Sequence, residues 1–205
     1  MPASWLPLAA LLAIIVLSAL RVWRVGRAHG VKAFSFGRHA EIQGVAERHW
    51  KLVVFASLGV ALIAWLAPSW EAALGMPAWA GSAVLRWLAA VLFVASVLLI
   101  AVAQIQMGAS WRVGVPSEGP GALVAHGLFA WSRNPIFVGM LGTVLALFLW
   151  SPHMLSAAVL ASTWMLTLVQ VRIEEEALRE KHGDAYVRYA AHVGRWFGSR
   201  QASET

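Results

Sequence analysis

Long apolar segments constrain this chain more than any other feature. Five of them lie at about residues 4–25, 50–67, 83–106, 135–150 and 153–173, and each approaches the roughly 20 apolar residues that a helix needs to cross a bilayer. Hydrophobic residues make up 60% of the 205 residues and charged residues only 13%, against about 25% charged residues in soluble domains. The sequence therefore predicts an all-α integral membrane protein with about five transmembrane helices and a cytoplasmic C-terminal helical segment.

The segment boundaries carry their own signals. The fourth segment begins at Pro135, and proline suits the first turn of a helix, where its missing N–H is not needed. Ser151-Pro152 predicts a sharp turn before the fifth segment. The first segment lacks preceding basic residues and a small-residue cleavage site, so we interpret it as a retained helix. We expect one membrane domain over 1–205, with N-terminal helices and a loop in 1–103, a second half in 104–197 and a tail in 198–205.

The basic residues predict the orientation in the membrane. Fifteen of the sixteen Lys and Arg residues fall on one side of the predicted helices, and Arg86 is the exception. Since cytoplasmic loops carry an excess of Lys and Arg, the N-terminus is expected outside and the C-terminus inside the cytoplasmic membrane. The net charge of +6 is then a topology signal that also suits anionic membrane lipids, so nucleic acid is not an expected partner.

Two kinds of chemistry are disfavoured by composition. The chain has no cysteine, which excludes disulfides, thiol nucleophiles and cysteine metal sites. Apart from His126, the histidines are scattered without metal-ligand spacing, and we predict no metal site. These residues are His29, His39, His49, His153, His182 and His192.

Two polar segments flank the last apolar hairpin, at 123–139 and 174–196. An up-and-down hairpin returns both its ends to the same membrane face. The Arg133-Asn134-Pro135 end and the Glu174-Glu175-Glu176 end are therefore expected to meet there. A cation, carboxylates and a glycine-containing backbone at the membrane surface indicate a functional site.

These segments resemble the isoprenylcysteine carboxyl methyltransferase family, and they are similar also to the wider group of membrane phospholipid methyltransferases. The resemblance covers about 104–197. The residues that carry it are Trp111-Arg112-x-Gly114, Leu123-Val124-x-x-Gly127, Arg133-Asn134-Pro135-x-Phe137-x-Gly139, Glu174-Glu175-x-x-Leu178, Gly183, Tyr186, Tyr189 and Arg195.

The resemblance implies methyl transfer from S-adenosylmethionine to a lipophilic acceptor at the cytoplasmic face. It implies that the cofactor-binding residues include Leu123, Val124, Phe129, Asn134, Pro135, Ile136, Phe137 and Glu174. We add His126 and Gly127, because they belong to the same polar segment. Arg133 and Glu175 are the candidate catalytic residues: Arg133 is expected to orient the polar group of the acceptor, and Glu175 to support that site.

The chemistry of the cofactor agrees with these residue types. A carboxylate such as Glu174 or Glu175 can pair with its ammonium group. Backbone N–H groups around Gly127 and at the start of the fourth helix can bind its carboxylate, because a helix N-terminus favours an anion. The aromatic faces of Phe129, Trp131 and Phe137 suit the adenine and the sulfonium; methyl transfer needs chiefly alignment of the reacting groups.

Three departures from the family pattern leave the acceptor open. Asn134 replaces a common histidine, Phe129 and Phe137 replace tyrosines, and Gln170 lies where the isoprenylcysteine branch has a basic residue. An isoprenylcysteine-type carboxylate, an isoprenoid or quinone-like lipid and a phospholipid amine all remain candidates.

The sequence also leaves other functions open. A nicotinamide-dependent membrane reductase and a non-catalytic membrane scaffold are the alternatives of another class. Tyr186 and Tyr189 are expected to pack a C-terminal helix rather than act in chemistry. The sequence does not decide whether Gln104 and Gln106 face the site, nor whether the 24–48 segment is a lid or a plain loop.

Overall fold

The computed structural model describes residues 2–29, 41–111 and 120–198, and these form helices and connecting turns without a strand. The helices are α1 (Leu6–His29), α2 (Glu41–Leu66), α3 (Trp70–Ala73), α4 (Ala83–Met107), α5 (Pro135–Trp150), α6 (Met154–His182) and α7 (Asp184–His192). Four of them, α1, α2, α4 and α6, contain apolar stretches long enough to cross a membrane, and α5 is a shorter apolar helix of 16 residues. The prediction of an all-α membrane protein is confirmed.

Local signals explain where the helices begin and end. Pro135 occupies the first turn of α5, as the sequence predicts. At the start of α4, the backbone N–H of Leu85 donates to Ser82 Oγ at 3.3 Å, which caps the helix. Gly108 and Gly183 follow α4 and α6 with φ of +54° and +51°, values that glycine adopts without a steric penalty.

One predicted boundary was wrong. The last long helix was expected to end near residue 173, but α6 continues to His182, because no helix-breaking residue occurs before Gly183. The run Glu174–Glu176 therefore lies inside a long helix. Helix α2 begins at Glu41, and its apolar stretch Arg48–Leu66 agrees with the predicted segment at 50–67. Residues 30–40 of the 24–48 segment, and the tail from 199, lie outside the described residues.

Helices α4 and α5 pack closely because two small residues of α5 face α4. A Cβ atom on Gly139 would lie 2.5 Å from Ile100 Cγ1, and one on Gly142 would lie 2.5 Å from Ser96 Oγ. Neither distance is compatible with a real side chain. The two glycines thus set the separation of α4 and α5 and fix the position of the α5 N-terminus.

A buried polar cluster joins α3 to the turn between α5 and α6. Ser151 Oγ donates a hydrogen bond to Glu71 Oε1. His153 Nδ1 accepts from the backbone N–H of Ser156 at 3.2 Å, while Ser156 Oγ accepts from the backbone N–H of His153 at 3.1 Å. This reciprocal capping starts α6 in the required direction. Burial lowers the pKa of His153 and outweighs the opposing effect of Glu71.

Candidate functional site

A cavity of about 640 Å³ lies between the long helices and α7. Its apolar walls come chiefly from α1, α2, α4 and α5. Its charged side chains come from Arg133, just before α5, and from the second half of α6, while α7 contributes two tyrosines. This volume is within the roughly 300–1,000 Å³ of sites that hold small molecules or cofactors.

The structure brings most of the predicted site residues together. The lining includes both candidate catalytic residues and eight of the ten candidate cofactor-binding residues: Arg133, Glu175, Leu123, Val124, Phe129, Asn134, Pro135, Ile136, Phe137 and Glu174. His126 and Gly127 are not part of it; both are exposed. The α5–α6 hairpin therefore brings its two polar ends together, as the sequence predicts.

Gly127 has a different role from the one expected. Its φ is +59°, and a Cβ atom there would lie 2.5 Å from the Gln106 carboxamide. Gln106 Oε1 accepts the backbone N–H of Leu128 at 2.8 Å. That N–H group is thus used to attach the connector before α5 to the end of α4, and it is not left for a ligand carboxylate.

A second attachment holds the other end of this connector. His182 Nε2 lies 2.9 Å from the carbonyl oxygen of Gly121, and Lys181 Nζ donates to the carbonyl oxygen of Pro120. The residues that follow, Leu123 and Val124, reach the cavity wall from this anchored position. The C-terminal turn of α6 therefore positions one wall of the cavity.

One carboxylate organises the charges beside the cavity. Glu175 Oε1 lies 3.1 Å from Arg133 Nη2, and Glu175 Oε2 lies 2.7 Å from Arg195 Nη2. Arg195 Nε also donates to both carboxylate oxygens, at 3.1 and 3.2 Å. The hydrogen bonds to Glu175 raise the pKa of Arg195. Two guanidinium groups therefore face one carboxylate, and the cluster keeps one positive charge.

Asn134 belongs to the same network. Its Nδ2 atom donates to Glu175 Oε1 at 3.4 Å and to the carbonyl oxygen of Arg195 at 3.2 Å. Its side chain consequently makes no capping hydrogen bond at the start of α5. The N–H groups of Ile136 and Phe137 in the first helical turn thus receive no hydrogen bond from the Asn134 side chain, and such N–H groups suit an anion.

Glu174 is placed differently from its neighbour. Its Oε1 atom accepts from Gln170 Nε2 at 3.0 Å. Within the described part of the chain, no Lys or Arg pairs with this carboxylate. A partly buried carboxylate that lacks a cation is costly to the protein and suits a positively charged ligand group. The uncharged Gln170 orients Glu174 without neutralising it.

Two tyrosines of α7 reach the cavity as well. The Tyr189 hydroxyl donates to the carbonyl oxygen of Phe129 at 2.7 Å, and its ring packs edge-on against Tyr186 with centroids 6.1 Å apart. Burial, followed by the neighbouring Tyr186, raises the pKa of Tyr189. The expectation that both tyrosines pack the C-terminal helix is thus incomplete, because both line the cavity.

The structure adds lining residues that the sequence left open, such as Gln104, or did not indicate, such as Trp50. Gln104 lines the cavity and donates from Nε2 to Ser18 Oγ at 2.8 Å, which joins α4 to α1. Trp50 of α2 is buried and its ring lies 6.4 Å from that of Phe137. Helices α1 and α2 carry no motif, and they are apolar around much of their circumference. No sequence signal could show which of their sides faces the site.

Comparison with known proteins gives two matches. Residues 84–185 match the phospholipid methyltransferase family. A protein-S-isoprenylcysteine O-methyltransferase from Tribolium castaneum is 38% identical over 76 residues, which is 35% of this chain and 26% of that protein. The match thus spans about a quarter of the length of this curated relative. Together with the membrane-spanning helices, these matches show that the chain belongs to the group of integral membrane methyltransferases that includes the phospholipid and isoprenylcysteine methyltransferases.

Proposed function

We propose that this protein transfers a methyl group from S-adenosylmethionine to a lipophilic acceptor at the cytoplasmic face of the membrane. The observation that carries the proposal is the Glu174 carboxylate, which pairs with no described cation and lies in a cavity that also offers helix N–H groups without a side-chain cap and aromatic rings. These groups complement an ammonium, a carboxylate and an adenine.

The residues present fit such a cofactor. Glu174 would hold the ammonium group, and the first-turn N–H groups of Ile136 and Phe137 would hold the carboxylate. Phe129 and Phe137 would provide apolar faces for the adenine. When bound, S-adenosylmethionine would supply an electrophilic methyl group, whose bond to sulfur breaks as the acceptor forms a new bond to carbon. The chain then needs only to align two molecules and to exclude water.

The acceptor is proposed to be a lipid. The cavity walls contributed by α1, α2 and α4 are mainly apolar, including Ile14, Val54 and Ile100. Arg133, held by Glu175 beside these walls, would orient the polar group of the acceptor. The net positive charge of the Arg133–Glu175–Arg195 cluster favours an isoprenylcysteine-type carboxylate or another acidic lipid over a phospholipid amine, which carries a positive charge of its own.

Substitution of Glu174 tests the cofactor. Glu174→Gln should weaken binding of S-adenosylhomocysteine about 10- to 150-fold, since a hydrogen bond to a charged group contributes roughly 1.5–3 kcal/mol and 1.4 kcal/mol is a factor of ten. Glu176→Gln is the matched control, because Glu176 is exposed on the same helix and does not line the cavity. Equal affinities in the two variants would contradict the assignment. A parallel titration with NADPH distinguishes a methyltransferase from a reductase.

The orientation is proposed from the distribution of basic residues. Because the chain has no cysteine, single cysteines can be labelled selectively. A membrane-impermeant maleimide should label Ala78→Cys from the outside of intact cells, and Ala125→Cys only after permeabilisation; both positions are exposed in the structure. The opposite pattern would reverse the orientation, and it would leave the cavity without access to cytoplasmic S-adenosylmethionine.

A further inference from the structure

A buried hydroxyl without a partner lies in the cavity wall. Tyr186 is 2% exposed and belongs to the lining. Its hydroxyl makes no hydrogen bond to any described part of the chain. Buried polar groups are nearly always hydrogen-bonded, and an exception at a cavity indicates a group that is available to a ligand.

The surroundings of this hydroxyl favour donation to an anion. Glu175, Arg133 and Arg195 all act on it electrostatically, and together they carry one net positive charge. Arg133 Nε is likewise buried without an acceptor among the described residues. The Tyr186 O–H and the Arg133 Nε–H are therefore two donors without an acceptor among the described residues, and both belong to the surroundings of the Arg133–Glu175–Arg195 cluster. Burial raises the pKa of Tyr186, so its hydroxyl keeps its proton at neutral pH.

The neighbouring tyrosine provides the contrast. Tyr189 lies one helical turn away, and its hydroxyl is used internally, since it donates to the carbonyl oxygen of Phe129. The two rings are in contact and both line the cavity. The Tyr189 hydroxyl thus has a structural partner, whereas the Tyr186 hydroxyl has none among the residues that the structure describes.

We propose that Tyr186 recognises the acceptor: its hydroxyl donates a hydrogen bond to an anionic oxygen of the lipid that enters the cavity. The identification of that lipid as the methyl acceptor rests on the proposed function. The hydrogen bond from Tyr186 and the positive charge of the Arg133–Glu175–Arg195 cluster would both favour an anionic head group. The cavity would then bind acidic lipids more tightly than neutral lipids with the same tail. A carboxylate and a phosphate present the same chemistry to these donors.

Three probes with one hydrophobic tail test the inference: farnesol, farnesoic acid and farnesyl phosphate. Their affinities are measured by titration of the full chain in detergent or nanodiscs without cofactor. Tyr186→Phe should weaken binding of at least one anionic probe about tenfold or more, because a hydrogen bond to a charged group is lost. Its affinity for farnesol should not change. The anionic probe whose binding is weakened shows whether Tyr186 contacts a carboxylate or a phosphate.

Tyr189→Phe is the matched control, because it removes the same atom from the adjacent ring. It should lower the melting temperature and leave the probe affinities unchanged, whereas Tyr186→Phe should not lower the melting temperature. Equal losses for farnesol and the anionic probes in Tyr186→Phe would overturn the inference, as would no loss for any probe. Weaker binding of S-adenosylhomocysteine with unchanged probe binding would also overturn it, by assigning the contact to the cofactor.

The two proposals fail separately. If wild-type protein binds the anionic probes through Tyr186 but does not bind S-adenosylhomocysteine, the proposed function is wrong and the anion contact stands. If S-adenosylhomocysteine binds through Glu174 but Tyr186→Phe leaves every probe affinity unchanged, the contact is wrong and the proposed function stands.

Discussion

Replacement of Glu175 by glutamine should destabilise this protein more than removal of Arg195, the more exposed of its two partners. The side chains of Glu175 and Arg133 are only 13% and 14% exposed, whereas that of Arg195 is 39% exposed. The amide of Glu175→Gln would leave Arg133 largely buried and without a counter-charge, and breaking a buried ion pair costs about 3–5 kcal/mol. We expect a cost near the lower limit, about 3 kcal/mol, since Arg195 can turn toward water.

Thermal unfolding in detergent measures this effect. At roughly 2–4 °C per kcal/mol for a chain of this size, Glu175→Gln should lower the melting temperature by about 6–12 °C. Arg195→Met is the comparison, because it removes the more exposed partner and should cost no more than about 1 kcal/mol. A second change, Arg133→Gln, made in the Glu175→Gln background should recover part of the loss, because it removes the uncompensated charge. Equal and small shifts in Glu175→Gln and Arg195→Met would refute the view that Glu175 compensates a buried charge.

Three other substitutions probe separate parts of the molecule. Gly139→Ala should destabilise the protein by about 1–3 kcal/mol more than Gly59→Ala, and thermal unfolding of the two variants measures the difference. Both substitutions raise helix propensity, but only the methyl group at 139 would collide with a neighbouring side chain. Arg133→Ala should reduce methyl transfer strongly while the affinity for S-adenosylhomocysteine changes little. Arg133→Lys should retain only part of the wild-type turnover, because lysine lacks the planar guanidinium group. Normal turnover in Arg133→Ala would contradict the proposed role of Arg133. Because the pKa of His153 is lowered in the folded state, stability should be full above its ordinary pKa of about 6.5 and should fall as the pH drops below it. His153→Asn, which can still cap α6, should lose this part of the pH dependence.

The sequence by itself determined the membrane-spanning segments and the meeting of the two polar motifs. Both are local properties. The length and composition of an apolar run decide whether it can cross a bilayer, and the short Ser151-Pro152 turn forces α5 and α6 to run antiparallel. Once α5 begins at Pro135, the residues just before it and the residues around Glu174 must lie at the same end of the hairpin. For this reason, motif spacing was sufficient to predict much of the cavity lining.

Only the tertiary structure decided the roles of individual side chains at that end. Glu174 and Glu175 are adjacent in sequence, yet Glu175 is held by two arginines and Glu174 is paired with none of the described cations, because successive residues of a helix point about 100° apart. Tyr186 and Tyr189 lie on the same side of α7, yet only the Tyr189 hydroxyl has a hydrogen-bond partner among the described residues, because the neighbours of each ring come from other parts of the chain. The parts of α1 and α2 that line the cavity depend on how each helix is rotated about its axis. A helix that is apolar on nearly every side does not encode that rotation in its hydrophobic pattern, and only its packing against distant partners fixes it.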